Sequence, residues 1–136
     1  MLGPPRSLVL ALAAAVVTLL GAPAAEACRC AQRSLDDYFA AAEIVLVGEV
    51  TWVEARAIDG VETRVVEVEP RFRQGQPFKG GLVGVALATP TGSARCGVAV
   101  EAGETYLIFA SRAAPGDGIA WFDSCGGSRL YAGGTR

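Results

Sequence analysis

The sequence contains no histidine, and this excludes the commonest kinds of catalytic centre. Without an imidazole there is no histidine general base, no serine–histidine pair and no histidine ligand for a metal. Ser93 and Ser124 have no other candidate base nearby in the sequence, and the carboxylates occupy positions typical of a solvated strand face, a turn or a helix start. We therefore predict that the chain is not an enzyme and carries no cofactor.

Positive charge is also scarce. The chain has 12 basic residues against 14 acidic ones, and Lys79 is its single lysine. This balance leaves no surplus of cations to neutralise phosphate groups, so nucleic acid is not an expected partner. After the amino-terminal apolar run there is no second run of membrane-spanning length, and we expect no membrane anchor in the mature chain.

Residues 1–27 have the pattern of a secretory signal. An apolar run at 8–20 follows a basic residue, and Ala25 and Ala27 place small side chains at a cleavage site. The run is shorter than the roughly 20 residues that a membrane-spanning helix needs. We predict a single secreted, extracellular or periplasmic domain of residues 28–136. An uncleaved anchor and a lipoprotein attached at the first cysteine are the alternatives.

Four cysteines in a short exported domain indicate two disulfide bonds. Cys28 and Cys30 flank Arg29 at the start of the mature chain, whereas Cys96 and Cys125 lie far downstream. A Cys28–Cys30 bond would close a very small ring, so two pairings remain, and both tie the amino terminus to the body of the domain. A zinc site is disfavoured because metal-binding cysteine pairs usually have more intervening residues. A redox role for the Cys-x-Cys segment is disfavoured because no βαβ pattern surrounds it.

The new amino terminus offers chemistry of its own. If Cys28 is the first residue, its α-amino group has a pKa of about 8, so a sizeable minority is unprotonated at neutral pH. That amine and the adjacent carbonyl oxygen can chelate a metal ion together. On a catalytic zinc they would take the position normally held by water. The simpler interpretation is that the disulfides merely hold a loose chain end.

The pattern predicts one short helix, from about 35 to 42. Ser34 can cap its start and Asp37 can reach back to the cap. Four apolar side chains fall on one face of this helix, which we expect to pack on the domain: Leu35, Tyr38, Phe39 and Ala42.

Five strands are predicted in the rest of the chain. The first covers 43–58 with a bulge or bend at Gly48, and because its first part is apolar on both faces we expect it to be buried early and half-exposed later. Asp59-Gly60 predicts a hairpin turn after it. The return strand has Val66, Val68 and Phe72 on one side. Later strands are expected at 82–89, 105–110 and 119–123, before a loose glycine-rich tail. This pattern predicts an all-β barrel of Greek-key type with a short packed helix.

Several segments together resemble the netrin-like (NTR) domains, most of all the tissue inhibitors of metalloproteinases (TIMPs) and their small bacterial relatives. The resemblance covers nearly all of residues 28–125. It is carried by the Cys-x-Cys start, AEIVLVGEV at 42–50, FKG at 78–80, Cys96-Gly97, GETYLIF at 103–109 and Cys125. It implies a five-stranded OB-fold barrel with a packed helix, and the disulfide pairings Cys28–Cys96 and Cys30–Cys125.

The resemblance also implies a binding ridge. In the inhibitors, the amine and carbonyl of the first cysteine chelate the zinc of the protease, the next residue enters its specificity pocket, and the loop before the bridging cysteine lines the same ridge. The matching positions in this chain form that ridge: Cys28, Arg29, Cys30, Ser93, Ala94 and Arg95. The chain differs from the inhibitors in having Arg29 where they have a small residue, no proline directly after Cys30, and none of their additional cysteines.

Two functions follow as hypotheses. The first is a secreted protein-binding domain that inhibits an extracellular zinc metalloprotease through Cys28. The alternative is an extracellular adhesion or scaffold module without metal chemistry, since netrin-like folds do not by themselves fix a function.

Overall fold

The protein is described over residues 28–131 in a computed structural model. The predicted signal segment and residues 132–136 lie outside the described residues. Within 28–131 the chain is mostly β, as predicted, with one α-helix and six strands. In chain order they are α1 (Leu35–Ala41), β1 (Ile44–Ile58), β2 (Val61–Pro70), β3 (Ala86–Pro90), β4 (Thr105–Arg112), β5 (Ile119–Trp121) and β6 (Arg129–Leu130). No helix in this part of the chain has both the length and the apolar character that a membrane crossing requires.

The sheet closes on itself. Its strands are ordered β1-β2-β3-β5-β4, and β1 pairs with β4 as well as with β2. All of these neighbours are antiparallel except β3 and β5, which run parallel. The closed arrangement leaves β6 as an addition outside the ring, paired with β4 alone.

The strand β6 corrects the prediction of a loose tail after Cys125. Its two residues pair with Tyr106 and Leu107 of β4. Just before it, Ser128 is buried, and its hydroxyl accepts a hydrogen bond from the backbone N–H of Phe109 at 2.8 Å. The glycines of this segment therefore allow a turn back onto the sheet and do not leave the chain free.

The long hairpin between β1 and β2 forms as predicted. Asp59 and Gly60 have φ angles of 50° and 77°, which a type I′ turn requires at both central positions. The bulge, however, lies at Thr51, where the pairing register shifts, and not at Gly48. Gly48 instead permits close packing, because a Cβ there would lie 2.7 Å from the Leu46 side chain.

Several strand ends differ from the prediction. The third strand begins at Ala86, four residues late, because residues 82–85 form a turn in which the Val85 N–H bonds to the Leu82 carbonyl. The return strand of the hairpin ends at Pro70, so Phe72 lies outside it, and its side chain is 49% exposed. The alternating pattern thus continued in the sequence beyond the point where the strand stops.

The main hydrophobic core fills the inside of the closed sheet. It contains a single phenylalanine, Phe122, and otherwise mostly aliphatic side chains. Its buried members are Ile44, Leu46, Val50, Val66, Leu87, Val100, Tyr106, Ile108, Ala110, Ala120 and Phe122. Burial of these side chains is the main favourable contribution to folding.

The helix covers a second, smaller cluster on the outside of β1 and β4. The Ser34 side chain accepts a hydrogen bond from the Asp37 N–H, and the Asp37 carboxylate accepts one from the Ser34 N–H, as predicted. Tyr38 packs on Phe109, with 5.7 Å between the ring centroids, and against Gly127. Only half of the predicted apolar face of the helix packs on the domain, because Leu35 and Phe39 remain exposed.

Candidate functional site

The amino-terminal segment before the helix has no regular secondary structure and is held by two disulfides. Cys28 is bonded to Cys96 and Cys30 to Cys125, the two pairings that the resemblance implies. The Cα atoms are 5.4 Å apart in the first pair and 5.0 Å apart in the second. Arg29 therefore lies between two residues that are each covalently tied to the body of the domain.

The two bridges lie side by side. Sγ of Cys125 is 3.2 Å from Sγ of Cys28 and 3.4 Å from Sγ of Cys96, and all four sulfurs lie within 4.8 Å of one another. Such a spacing would suit a tetrahedral thiolate site. As disulfides, however, these sulfurs provide no thiolate ligand, so we assign the cluster a structural role.

The downstream partners of both bridges are fixed to each other as well. The Cys96 carbonyl accepts hydrogen bonds from the Ser124 backbone N–H at 2.8 Å and from its hydroxyl at 3.0 Å. A Cβ at Gly97 would lie 1.7 Å from the Pro90 carbonyl oxygen, so only glycine fits there. These contacts bring the loops after β3 and β5 together, and the amino-terminal segment is bonded to both.

The loop that precedes Cys96 forms the second part of the predicted ridge. Ser93–Arg95 form one turn of 3-10 helix, and Ala94 and Arg95 are exposed. Since Arg95 is next to Cys96, which is bonded to Cys28, the structure brings this loop and the amino-terminal segment to the same place. All six predicted ridge residues therefore belong to one disulfide-linked region.

Arg29 is the most prominent chemical feature of this region. It is exposed, and among residues 28–131 it takes part in no ion pair, since the three pairs found there join other residues. Arg95 is likewise exposed and outside those pairs. The region thus presents two guanidinium groups, one beside each end of the Cys28–Cys96 bridge.

Two groups in the described part of the chain have shifted pKa values, and neither belongs to the ridge. The Arg112 backbone N–H and guanidinium, which both bond to Glu43, lower the pKa of the Glu43 carboxylate. Burial raises the pKa of Tyr106, whose hydroxyl accepts a hydrogen bond from the Glu101 N–H and donates one to the Ala99 carbonyl. Neither group has the surroundings of a catalytic acid or base.

The sequence analysis did not identify the residues that hold the cysteines of the ridge in position. Gly97 and Ser124 help to determine where Cys96 and Cys125 lie. Asp123 adds to this support, because its side chain accepts a hydrogen bond from the Gly126 N–H at 2.7 Å. The Asp-x-x-Gly spacing is typical of a β-turn, and it is the sequence signal from which this turn could have been predicted.

No protein-family model matches the chain, and no curated protein is significantly similar to it in sequence.

Proposed function

We propose that this chain is a secreted netrin-like domain with an OB-fold barrel, and that it inhibits a zinc metalloprotease through the ridge around Cys28. The strand order supports the OB-fold, a small Greek-key barrel of five strands. The two disulfides support the compartment, because such bonds persist in oxidising environments.

The observation that carries the proposal is the double anchoring of the amino-terminal segment. With Cys28 and Cys30 both bonded to the domain, the backbone between them has little freedom left to lose on binding. A chelating amine and carbonyl at Cys28 would therefore be presented without a large ordering cost. The exposed loop at Ala94 and Arg95 would contact the protease beside the chelating group.

The chemistry required of Cys28 is simple. Its unprotonated amine and its own carbonyl oxygen would bind the zinc of the protease and displace the catalytic water. No group of this chain changes its covalent bonds in that step. The inhibition requires a free α-amino group on Cys28, and any residue before it removes the chelating amine.

Arg29 determines which proteases can be inhibited. A guanidinium in an apolar pocket costs several kcal/mol unless a carboxylate pairs with it. Because the backbone of Arg29 is held between two bridges, its side chain would leave the domain from a fixed point next to the zinc. We therefore expect tight inhibition only of metalloproteases whose pocket contains an acidic residue, and weak inhibition of those with apolar pockets.

The test compares the protein that begins at Cys28 with a form that has one additional alanine before it. Both are assayed against zinc metalloproteases with acidic and with apolar pockets, after disulfide counts and melting temperatures are shown to match. Only the form that begins at Cys28 is expected to inhibit. Equal inhibition by the extended form would disprove chelation, and binding that survives both the extension and removal of the zinc would indicate the scaffold function.

A further inference from the structure

Three aromatic side chains meet beside the connection after β2: Phe72 and Phe78 belong to that connection and are exposed, and Tyr131 follows β6 and is half-buried. Phe72 is 6.3 Å from Phe78 and 6.1 Å from Tyr131, measured between ring centroids. We call these three residues the aromatic patch. Phe72 and Phe78 are 49% and 37% exposed, and none of the three belongs to either buried cluster of the described residues. Clustered exposed rings of this kind usually mark a contact surface.

The backbone that presents Phe72 is strained. Phe72 has φ 63° and ψ 171°, a combination that is almost restricted to glycine. Arg73 and Gln74 follow with φ angles of 45° and 57°, so three successive residues with side chains have positive φ angles. Strain of this kind costs free energy and persists only where the surrounding structure enforces it.

Hydrogen bonds on both sides enforce this conformation. The Arg71 N–H bonds to the Val47 carbonyl at 2.8 Å, and the Phe78 N–H bonds to the Val45 carbonyl at 2.8 Å. Both anchors are on β1, so the loop between them must close over a fixed distance. The outcome is that the Phe72 ring stands against Phe78 and Tyr131 on the surface.

The segment that holds the patch is positively charged. Residues 71–79 contain three cations, Arg71, Arg73 and Lys79, and no carboxylate. Glu49 neutralises Arg71. The Arg73 guanidinium donates to the Phe78 carbonyl at 3.5 Å, and Lys79 Nζ donates to the Phe39 carbonyl at 2.8 Å. Among the described residues, neither Arg73 nor Lys79 is paired with an acid. Lys79 Nζ also bonds to the Ala40 carbonyl and lies over the Phe39 ring, so Arg73 is the cation that contacts the patch.

We propose that the aromatic patch, with Arg73 at its side, binds an acidic protein segment that inserts an apolar side chain between the rings. The rings provide the apolar contact, and the Arg73 guanidinium pairs with a carboxylate that flanks the inserted side chain. The contact with the Phe78 carbonyl keeps Arg73 beside the rings, which favours a partner with a carboxylate at a defined position. An anionic membrane would instead favour long cationic side chains that are free to reach head groups.

The strained backbone at Phe72 suggests a variant that separates an effect on binding from an effect on stability. Phe72→Gly removes the ring and at the same time places the one residue that accepts this backbone conformation. If the ring serves binding and not stability, the variant unfolds at the same or a higher temperature and loses the partner. Val83→Ser is the matched control, because Val83 is a 99% exposed apolar residue outside the patch.

The experiment selects peptides from a random displayed library on the form with the additional alanine, so that the ridge takes no part. Peptides that also bind the Phe72→Gly variant are discarded in a counter-selection step. Enriched peptides are expected to contain an apolar residue flanked by Asp or Glu. Fluorescence polarisation with the synthetic peptide should show that Phe72→Gly weakens binding by about tenfold or more. Arg73→Gln should weaken it to a smaller extent, and Val83→Ser should leave it unchanged.

Three results would overturn the proposal. The first is a library in which nothing is enriched on the parent over the Phe72→Gly variant. The second is a set of enriched peptides without acidic residues. The third is sedimentation with vesicles of anionic lipid that depends on Phe72, which would identify a membrane as the occupant. Each leaves the proposed inhibition through Cys28 untouched, because the extended form lacks the free amine of that residue.

Discussion

Removal of the disulfides one at a time and together tests the central feature of this structure. The variants replace Cys28 and Cys96, or Cys30 and Cys125, or all four residues by alanine. Three of the four are half-buried and Cys30 is exposed, so little cavity is left behind. The loss of stability should therefore come mainly from the freedom that the unfolded chain regains.

The size of the loss depends on which bridge remains. Alone, bridges with sequence separations of 68 and 95 residues would each contribute about 4.5 kcal/mol in the chain-entropy model. When the other bridge is already present, the effective loop is far shorter. It consists of the 2-residue step between Cys28 and Cys30 and the 29-residue step between Cys96 and Cys125. Each single removal should then cost about 3.7 kcal/mol, and removal of both about 8 kcal/mol.

Urea unfolding followed by fluorescence of the two tryptophans measures these losses. The single-bridge variants should remain folded and lose similar amounts, although the loops they open differ in length. Loss of both bridges should remove more than half of the free energy of unfolding, since a domain of this size has about 5–15 kcal/mol in total. The reasoning is refuted if the variant without cysteines is about as stable as either single-bridge variant.

Two further predictions concern single residues. Gly97→Ala should cost more than about 4 kcal/mol or prevent native disulfide formation, because its Cβ would overlap the Pro90 carbonyl oxygen; Gly81→Ala, in open space, should change the urea midpoint little. Glu43→Gln should lower the melting temperature at neutral pH. Since Arg112 lowers the pKa of Glu43 below 4.5, the stabilisation is present above about pH 4.5 and disappears as the pH falls through the lowered pKa. A constant difference from pH 7 to pH 2 would contradict this.

The features predicted correctly from the sequence are those with local causes. Ser34 and Asp37 define the helix start through hydrogen bonds between residues three apart. Asp59 and Gly60 define the hairpin because both accept left-handed backbone angles. The long apolar run that follows the helix was correctly assigned to a strand that is buried in its first half and exposed in its second.

The features that were missed depend on contacts between distant residues. The bulge at Thr51 is set by the pairing of two strands and not by the glycine three residues earlier. The strand β6 exists because Ser128 bonds to Phe109, a contact that no local pattern encodes. The exposure of Phe72 follows from a backbone conformation that is rare for phenylalanine, so the alternating pattern indicated the opposite.

In the candidate site, too, the features with local causes could be predicted and those that depend on distant contacts could not. The spacing of the cysteines left two pairings open, and the choice depends on how the loops after β3 and β5 meet. In the structure the Ser124 N–H bonds to the Cys96 carbonyl, which places Cys96 and Cys125 side by side. The path of the amino-terminal segment past this pair then brings Cys28 to Cys96 and Cys30 to Cys125. That path is a property of the assembled sheet, and only the resemblance to a known family anticipated the pairing.

The position of the two bridges is what the proposed inhibition depends on. The core inside the closed sheet is complete without any cysteine. One bridge would be enough to hold a loose end, whereas two bridges on Cys28 and Cys30 also fix the direction of the residue between them. That residue is an exposed arginine without an ion pair within residues 28–131. The bridges thus fix the backbone from which an exposed guanidinium projects, and this is the geometry that the proposed inhibition of a protease with an acidic pocket requires.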